Sequence, residues 1–256
     1  MVNEKPCICV NKTFPQQGSR YLAVLGRLCI RSLLPIRQTL MRGIRMPNLP
    51  ELSALDLAAL LASRVCHDII SPVGALANGL EVLEEEQDES MKEFAMDLIR
   101  KSAVSASAKL RFARLAFGAS GSVGSAIDTG EAQTVVTDYI AGEKSDVTWN
   151  GARSLVPKNR VKLLLNLVLI GLGAIPRGGM MTVTIDGADD QATFSVRCSG
   201  PKARVPPEFV EMLNGQLEGE MTAHAVQPYY AIMLARESGL SLSAKTDGED
   251  VVLAAA

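Results

Sequence analysis

Aromatic residues are scarce in this 256-residue chain, 4% of the total with a single Trp, so Leu, Ala and Val must supply the packing. Histidine is scarcer still, at two. The five cysteines (Cys7, Cys9, Cys29, Cys66 and Cys198) form no C-x-x-C pair and are odd in number. That excludes a disulfide framework, and with so few His it argues against a zinc site. Reduced, buried thiols in a cytosolic protein are the expectation. Basic charge is missing from the body of the chain. Residues 1–45 hold eight Lys and Arg against Glu4 alone, a net +7 that leaves −9 for residues 46–256. An acidic body carries no stripe for nucleic acid. A long uncharged apolar run is also missing near the start. Residues 21–37 are apolar but interrupted by Arg27 and Arg31, too short and too charged to span a bilayer.

What is present is a globular composition, 47% hydrophobic, long enough for two modest cores. Residues 1–45 read as a basic arm, disordered or an over-extended start, in preference to a membrane-surface helix. Ordered structure is expected from Met46 onward. Ser53 is a candidate N-cap. After it, Leu57, Leu61, Val65, Ile69, Val73, Leu76, Leu80 and Leu83 recur at steps of four or three, one apolar stripe along a helix. The acidic turn at residues 84–90 follows. Ser90 with Glu93 suggests a capping box for a second helix, which runs to about Phe117. The pair predicts an antiparallel hairpin over residues 50–118. Alone it leaves apolar surface uncovered, so two copies should dimerise into a four-helix bundle.

Residues 119–126 read as a linker. Residues 127–256 then change grammar. A short helix (about 129–141) precedes a strand at 146–150 and a strongly apolar helix at 160–174. A hairpin with turn signals at Asp186-Gly187 follows over 180–199. Two helices and two strands flanking Asp247-Gly248 complete an α+β sandwich, helices on one face of a mixed sheet.

The first helix raises the functional question. At 100° per residue, His67 falls opposite the apolar stripe, on a side shared with Ser63, Gly74 and Glu81 and edged by Leu60 and Ile70. The imidazole is therefore expected to be exposed. Asp68 follows it, and a carboxylate beside an imidazole raises its basicity and can manage its proton. Pro72 sits inside the helical pattern at a cost of about 3 kcal/mol, which suggests shaping by a task.

Residues 67–76, "HDIISPVGAL", resemble the H-box of bacterial two-component histidine kinases, matched at His67, Asp68, Ile69, Ser71, Pro72 and Val73. In that family the His sits on a dimeric helical hairpin and is phosphorylated on a ring nitrogen. The domain after it is an ATP-binding α/β sandwich, and the element order of residues 127–256 is similar. Asn166, Ala174, Pro176, Gly178 and Gly179 fit its first nucleotide box. Ile170, however, stands where the Mg²⁺-binding Asn belongs, and an alkyl chain offers no oxygen. Cys198 replaces the adenine-reading Asp, and Lys202 replaces a Gly beyond the retained Gly200. Gln227, Pro228, Tyr229 and Tyr230 occupy a stretch expected to be glycine-rich.

A phosphoacceptor hairpin joined to a degenerate ATPase-like domain resembles the ChpT family of histidine phosphotransferases. The resemblance covers about residues 50–256. The implied fold is α + α/β: the dimerising hairpin, then the sandwich without nucleotide binding. It implies transfer from the aspartyl phosphate of a hybrid-kinase receiver (CckA-like) to His67, and on to response regulators (CtrA-like and CpdR-like). His67 is the expected acceptor and Asp68 its orienting or proton-handling partner. Arg64, Leu60, Ile70, Ser71 and Gly74 are expected to support or dock the receiver, with Arg64 able to steady the phosphoryl group. No cofactor, ATP, metal, nucleic acid or membrane span is expected for this chain. Mg²⁺ is expected in the partner receiver. His224 has no evident partner and reads as a loop residue. Three rivals stand beside this reading: an active ATP-dependent kinase, which nucleotide binding would revive; a non-catalytic dimeric scaffold of receivers, which an unchanged His67→Ala phenotype would favour; and a phosphatase helper acting on receivers, which would share the docking surface without needing His67 as acceptor.

Overall fold

The computed structural model describes residues 49–118, 126–216 and 221–256. The basic arm of residues 1–45 and residues 119–125 of the expected linker lie outside the described residues. Residues 46–256 form one compact unit.

Helix α1 spans Ala54–Glu85, and Ser53 caps it by accepting from the Asp56 amide at 3.1 Å. It runs unbroken through Pro72, which is buried along with Gly79. At Gly79 the second helix packs close: a Cβ there would meet Ile99 Cγ1 at 2.7 Å. By length and composition α1 is apolar enough to cross a membrane, yet it carries Arg64, His67 and Asp68 midway. Helix α2 spans Glu89–Ala116. Its cap differs from the expected Ser90–Glu93 box. Asp88 is the N-cap, accepting from both the amide and the hydroxyl of Ser90. A carboxylate one residue before the first turn outcompetes a serine already inside it.

The second layer begins at β1 (Ala126–Asp128), so the expected linker ends one residue earlier. Then come α3 (Thr129–Ile140), β2 (Ser145–Asn150), β3 (Leu155–Pro157) and α4 (Lys158–Ala174). The chain continues through β4 (Gly179–Asp186), β5 (Thr193–Ser199), α5 (Pro207–Leu213), α6 (Val226–Ser238), β6 (Leu242–Asp247) and β7 (Asp250–Ala255). Five strands form one mixed sheet in the order β2-β4-β5-β7-β6, with only β2 and β4 parallel. The β1–β3 ribbon, three residues a side, is too short to leave a periodic signal in the sequence.

The sheet is apolar on one face, as alternation requires. Met181, Val183, Phe194, Val196, Cys198, Val251 and Leu253 all point into the core. Helix α4 lies on them and is buried from Val161 through Gly171. Such a helix reads apolar all round because the sheet covers one side and neighbouring helices the other. Phe112, Leu115 and Ala116 at the end of α2 join the same core, so one apolar interior runs from the hairpin into the sheet layer. Of the two described cysteines, Cys198 is buried, and burial pushes its thiol up to about 12. Cys66 is exposed, contrary to the expectation of buried thiols, because no described residue covers its side of α1.

Candidate functional site

His67 is exposed, 62% by side chain, as its helical phase requires. Ile70, Ser71 and Gly74 follow at three, four and seven residues and share that open face. Ile70 is 71% exposed. A Cβ on Gly74 would meet nothing within 4 Å. An approaching protein surface would therefore meet an imidazole amid small or projecting apolar groups. Leu60, seven residues before His67 and so on the same side of the helix, is half-buried.

Arg64 and Asp68 differ from their exposed neighbours. Arg64 Nε donates to Asp68 Oδ2 at 3.1 Å, and the two side chains are only 17% and 18% exposed. The other carboxylate oxygen, Oδ1, lies 3.4 Å from His67 Nδ1. An ionised carboxylate can only accept, so this contact calls for the proton on Nδ1. The Nε2 lone pair of a neutral His67 ring is then free to act as the nucleophile.

The sheet layer reaches the same place. Arg64 Nη1 lies 3.3 Å from His224 Nδ1. The His224 ring stands edge-on to the His67 ring, centroids 5.2 Å apart at 78°. His224, a loop residue as expected, thus has partners after all and belongs to the site. The turn before α6 holds it: Thr222 Oγ1 accepts from the Ala225 amide at 3.2 Å, and the Thr222 carbonyl from the Val226 amide at 2.9 Å. Ala225 and Val226 anchor that turn in the core. The one sequence signal was rarity, since these are the two histidines of the chain. No local pattern links residues so far apart.

Beneath Arg64 and Asp68 lies a cleft of about 560 Å³, bounded across from α1 by Ile170, Arg204, His224, Gln227 and Pro228. Ile170, Gln227 and Pro228 are positions of the degenerate nucleotide boxes, so that face of the sheet layer is turned toward the helix of His67. Tyr139 also lines the cleft. Burial first, then the charges of Asp68 and Glu143, push its hydroxyl upward, so it stays protonated.

Of the box positions, Ile170 and Cys198 carry apolar side chains, and the Oδ1 of Asn166 is buried without a hydrogen-bond partner among the described residues. Ile170 is 3% exposed and Cys198 fully buried. The Asn166 amide donates to the Lys162 carbonyl at 2.8 Å, and the Gln227 amide reaches the Asn166 carbonyl at 3.5 Å. Lys202, at a glycine position of the kinase pattern, has φ +60°, the left-handed region glycine favours. Among the described residues no group of three or more His, Cys, Asp or Glu could hold a metal ion.

A two-helix stem presenting an exposed His67 beside Asp68, packed on an α/β sandwich, has the make-up of a histidine phosphotransfer protein. Comparison with known proteins agrees. The family model for the histidine phosphotransferase C-terminal domain matches residues 129–250. Protein phosphotransferase ChpT of Brucella abortus (strain 2308) is 56% identical over 205 residues, covering 80% of this chain and 97% of that protein. A solved structure of a bacterial phosphotransferase aligns with a TM-score of 0.76 at 53% identity, covering 81% of this chain and 98% of that one. The chain belongs to the ChpT family of histidine phosphotransferases and is a phosphotransferase.

Proposed function

We propose that the chain relays phosphoryl groups between receiver domains through His67. The observation that carries this reading is the exposed imidazole with Nδ1 facing Asp68 and Nε2 free. A receiver's aspartyl phosphate approaches the open face of α1. The Nε2 lone pair attacks phosphorus in line. The N–P bond forms as the P–O bond to the receiver's aspartate breaks, and that carboxylate leaves with the electron pair. The proton on Nδ1 stays, so the phosphorylated ring is cationic, and Asp68 opposes that charge. A second receiver's aspartate reverses the step. Mg²⁺ in the receiver supplies the remaining charge neutralisation, and this chain supplies nucleophile, partner carboxylate and docking face. Arg64, pinned to Asp68, fixes the carboxylate. Ile70, Ser71 and Gly74 meet the receiver.

The relay needs no nucleotide on this chain. Two features support that: an alkyl side chain at Ile170 and a buried thiol at Cys198. These residues do not fit a nucleotide with its magnesium ion. By family likeness the partners are a CckA-like hybrid-kinase receiver and CtrA-like and CpdR-like response regulators, in the cytoplasm. Pairing of two hairpins into a four-helix bundle accounts for Val73, Leu80 and Phe94, which a single chain leaves 48%, 50% and 63% exposed.

Incubation of the full chain and of His67→Ala with a ³²P-labelled phospho-receiver tests the relay. Acid-labile label on the wild type alone is the expected result. Label on neither chain, with a receiver shown to bind, overturns the reading in favour of a scaffold.

A further inference from the structure

His224 is outside every sequence motif of the relay, yet it touches two members of its site. Arg64 is donor-only, so its 3.3 Å contact makes His224 Nδ1 the acceptor and places the proton of the neutral ring on Nε2. The guanidinium is thereby held at two points, Nε on Asp68 and Nη1 on His224. The circuit closes because Asp68 faces His67 Nδ1 and the His224 ring stands edge-on to the His67 ring. Three of these four side chains ride on one helix. The fourth comes from the sheet layer, on a turn pinned by Thr222 and by buried Ala225 and Val226.

We propose that His224 is a positioning residue of the phosphotransfer site, through which the degenerate sheet layer sets the orientation of the His67 imidazole. The inference rests on the relay reading. An exposed imidazole on a bare helix samples several rotamers, and only some aim Nε2 at an incoming phosphorus. The edge contact of His224 removes rotamers that would swing the ring toward the cleft. Its bond to Arg64 keeps the Asp68 carboxylate facing Nδ1. The sheet layer thus has a task at the acceptor histidine.

The test uses the full chain and three variants. His224→Ala removes both contacts. His224→Phe keeps a ring without an acceptor. His224→Asn offers Oδ1 near the place of Nδ1 to receive Arg64. His224 is exposed, so none of these opens a core cavity. Single-turnover transfer from a labelled phospho-receiver, over a range of receiver concentrations, separates the maximal rate from the half-saturating concentration. The maximal rate is expected to fall about tenfold in His224→Ala, as for loss of one charge-assisted hydrogen bond, with the half-saturating concentration little changed. His224→Asn should recover much of it and His224→Phe less. The ¹⁵N signals of the His67 ring should report a shifted tautomer balance in His224→Ala. Unchanged maximal rates and unchanged ring signals overturn the inference, as does an effect confined to the half-saturating concentration, which would mark a docking residue. No label on the wild type overturns the relay itself and this inference with it.

Discussion

Arg64 Nε donates to Asp68 Oδ2 at 3.1 Å, one helical turn on, while the same carboxylate turns its other oxygen to His67. An i,i+4 ion pair on an open helix contributes little. This one is only 17% and 18% exposed, because the sheet layer covers it. Its consequence is orientation: a carboxylate tied at one oxygen presents the other in a fixed direction.

Replacing the carboxylate tests that orientation. In Asp68→Asn the amide cannot oppose the positive charge that grows on the ring as the N–P bond forms. Label uptake from a phospho-receiver should fall about tenfold or more while the circular dichroism spectrum stays unchanged. An unchanged rate would reduce Asp68 to a helix-surface charge.

The packing of α4 on the sheet gives a stability prediction. A Cβ on Gly171 would lie 2.8 Å from Cys198 Sγ and 3.1 Å from Met181 Cε. Gly171→Ala gains helix propensity but overfills a close-packed layer, for a net loss of about 1–2 kcal/mol in urea denaturation. Adding Cys198→Ala, which removes the sulfur, should restore part of that loss.

Thiol mapping distinguishes the two described cysteines. Mass-spectrometric mapping after brief iodoacetamide treatment of the native chain at pH 8 should find Cys66 modified and Cys198 unmodified. Cys198 is buried and its thiol is raised to about 12, so almost no thiolate exists to react. Equal labelling at both would show that β5 does not pack against α4 as described.

Acid should weaken the start of the sheet layer. Arg153, donating at 2.8 Å, and then the Gly130 amide hold the Asp128 carboxyl below its usual value. A carboxyl lowered in the folded state binds its proton more readily when unfolded. Its contribution is therefore full above the unfolded value of about 4 and lost as pH falls through the folded one. Asp128→Asn should lower the denaturation midpoint at pH 7 and lessen the further loss between pH 4 and 2. A parallel acid limb in the variant would contradict this assignment.

Much of this was legible in the sequence because it depends on local periodicity. The four-and-three stripe through Leu57, Leu61 and Val65 fixes the phase of α1, and that phase alone turns His67 outward. Ser53 as a cap and the Asp247-Gly248 turn are local chemistry, and both occur as expected. The Asp88 cap was less legible because Ser90 and Glu93 imitate a capping box two residues later. The β1–β3 ribbon escaped because three residues define no period.

What the sequence by itself determined, then, is the longer helices and strands and the faces their residues take, including the exposure of His67 and the apolar character of Ile170 and Cys198. Only the tertiary structure decided which faces meet. Arg64 and His224, 160 positions apart, come within 3.3 Å because α1 lies beside the turn that leads into α6. Helical phase states a direction and no distance, so a contact between elements of different layers exists only once a shared core, here continuous from Phe112 to the sheet, has brought them together.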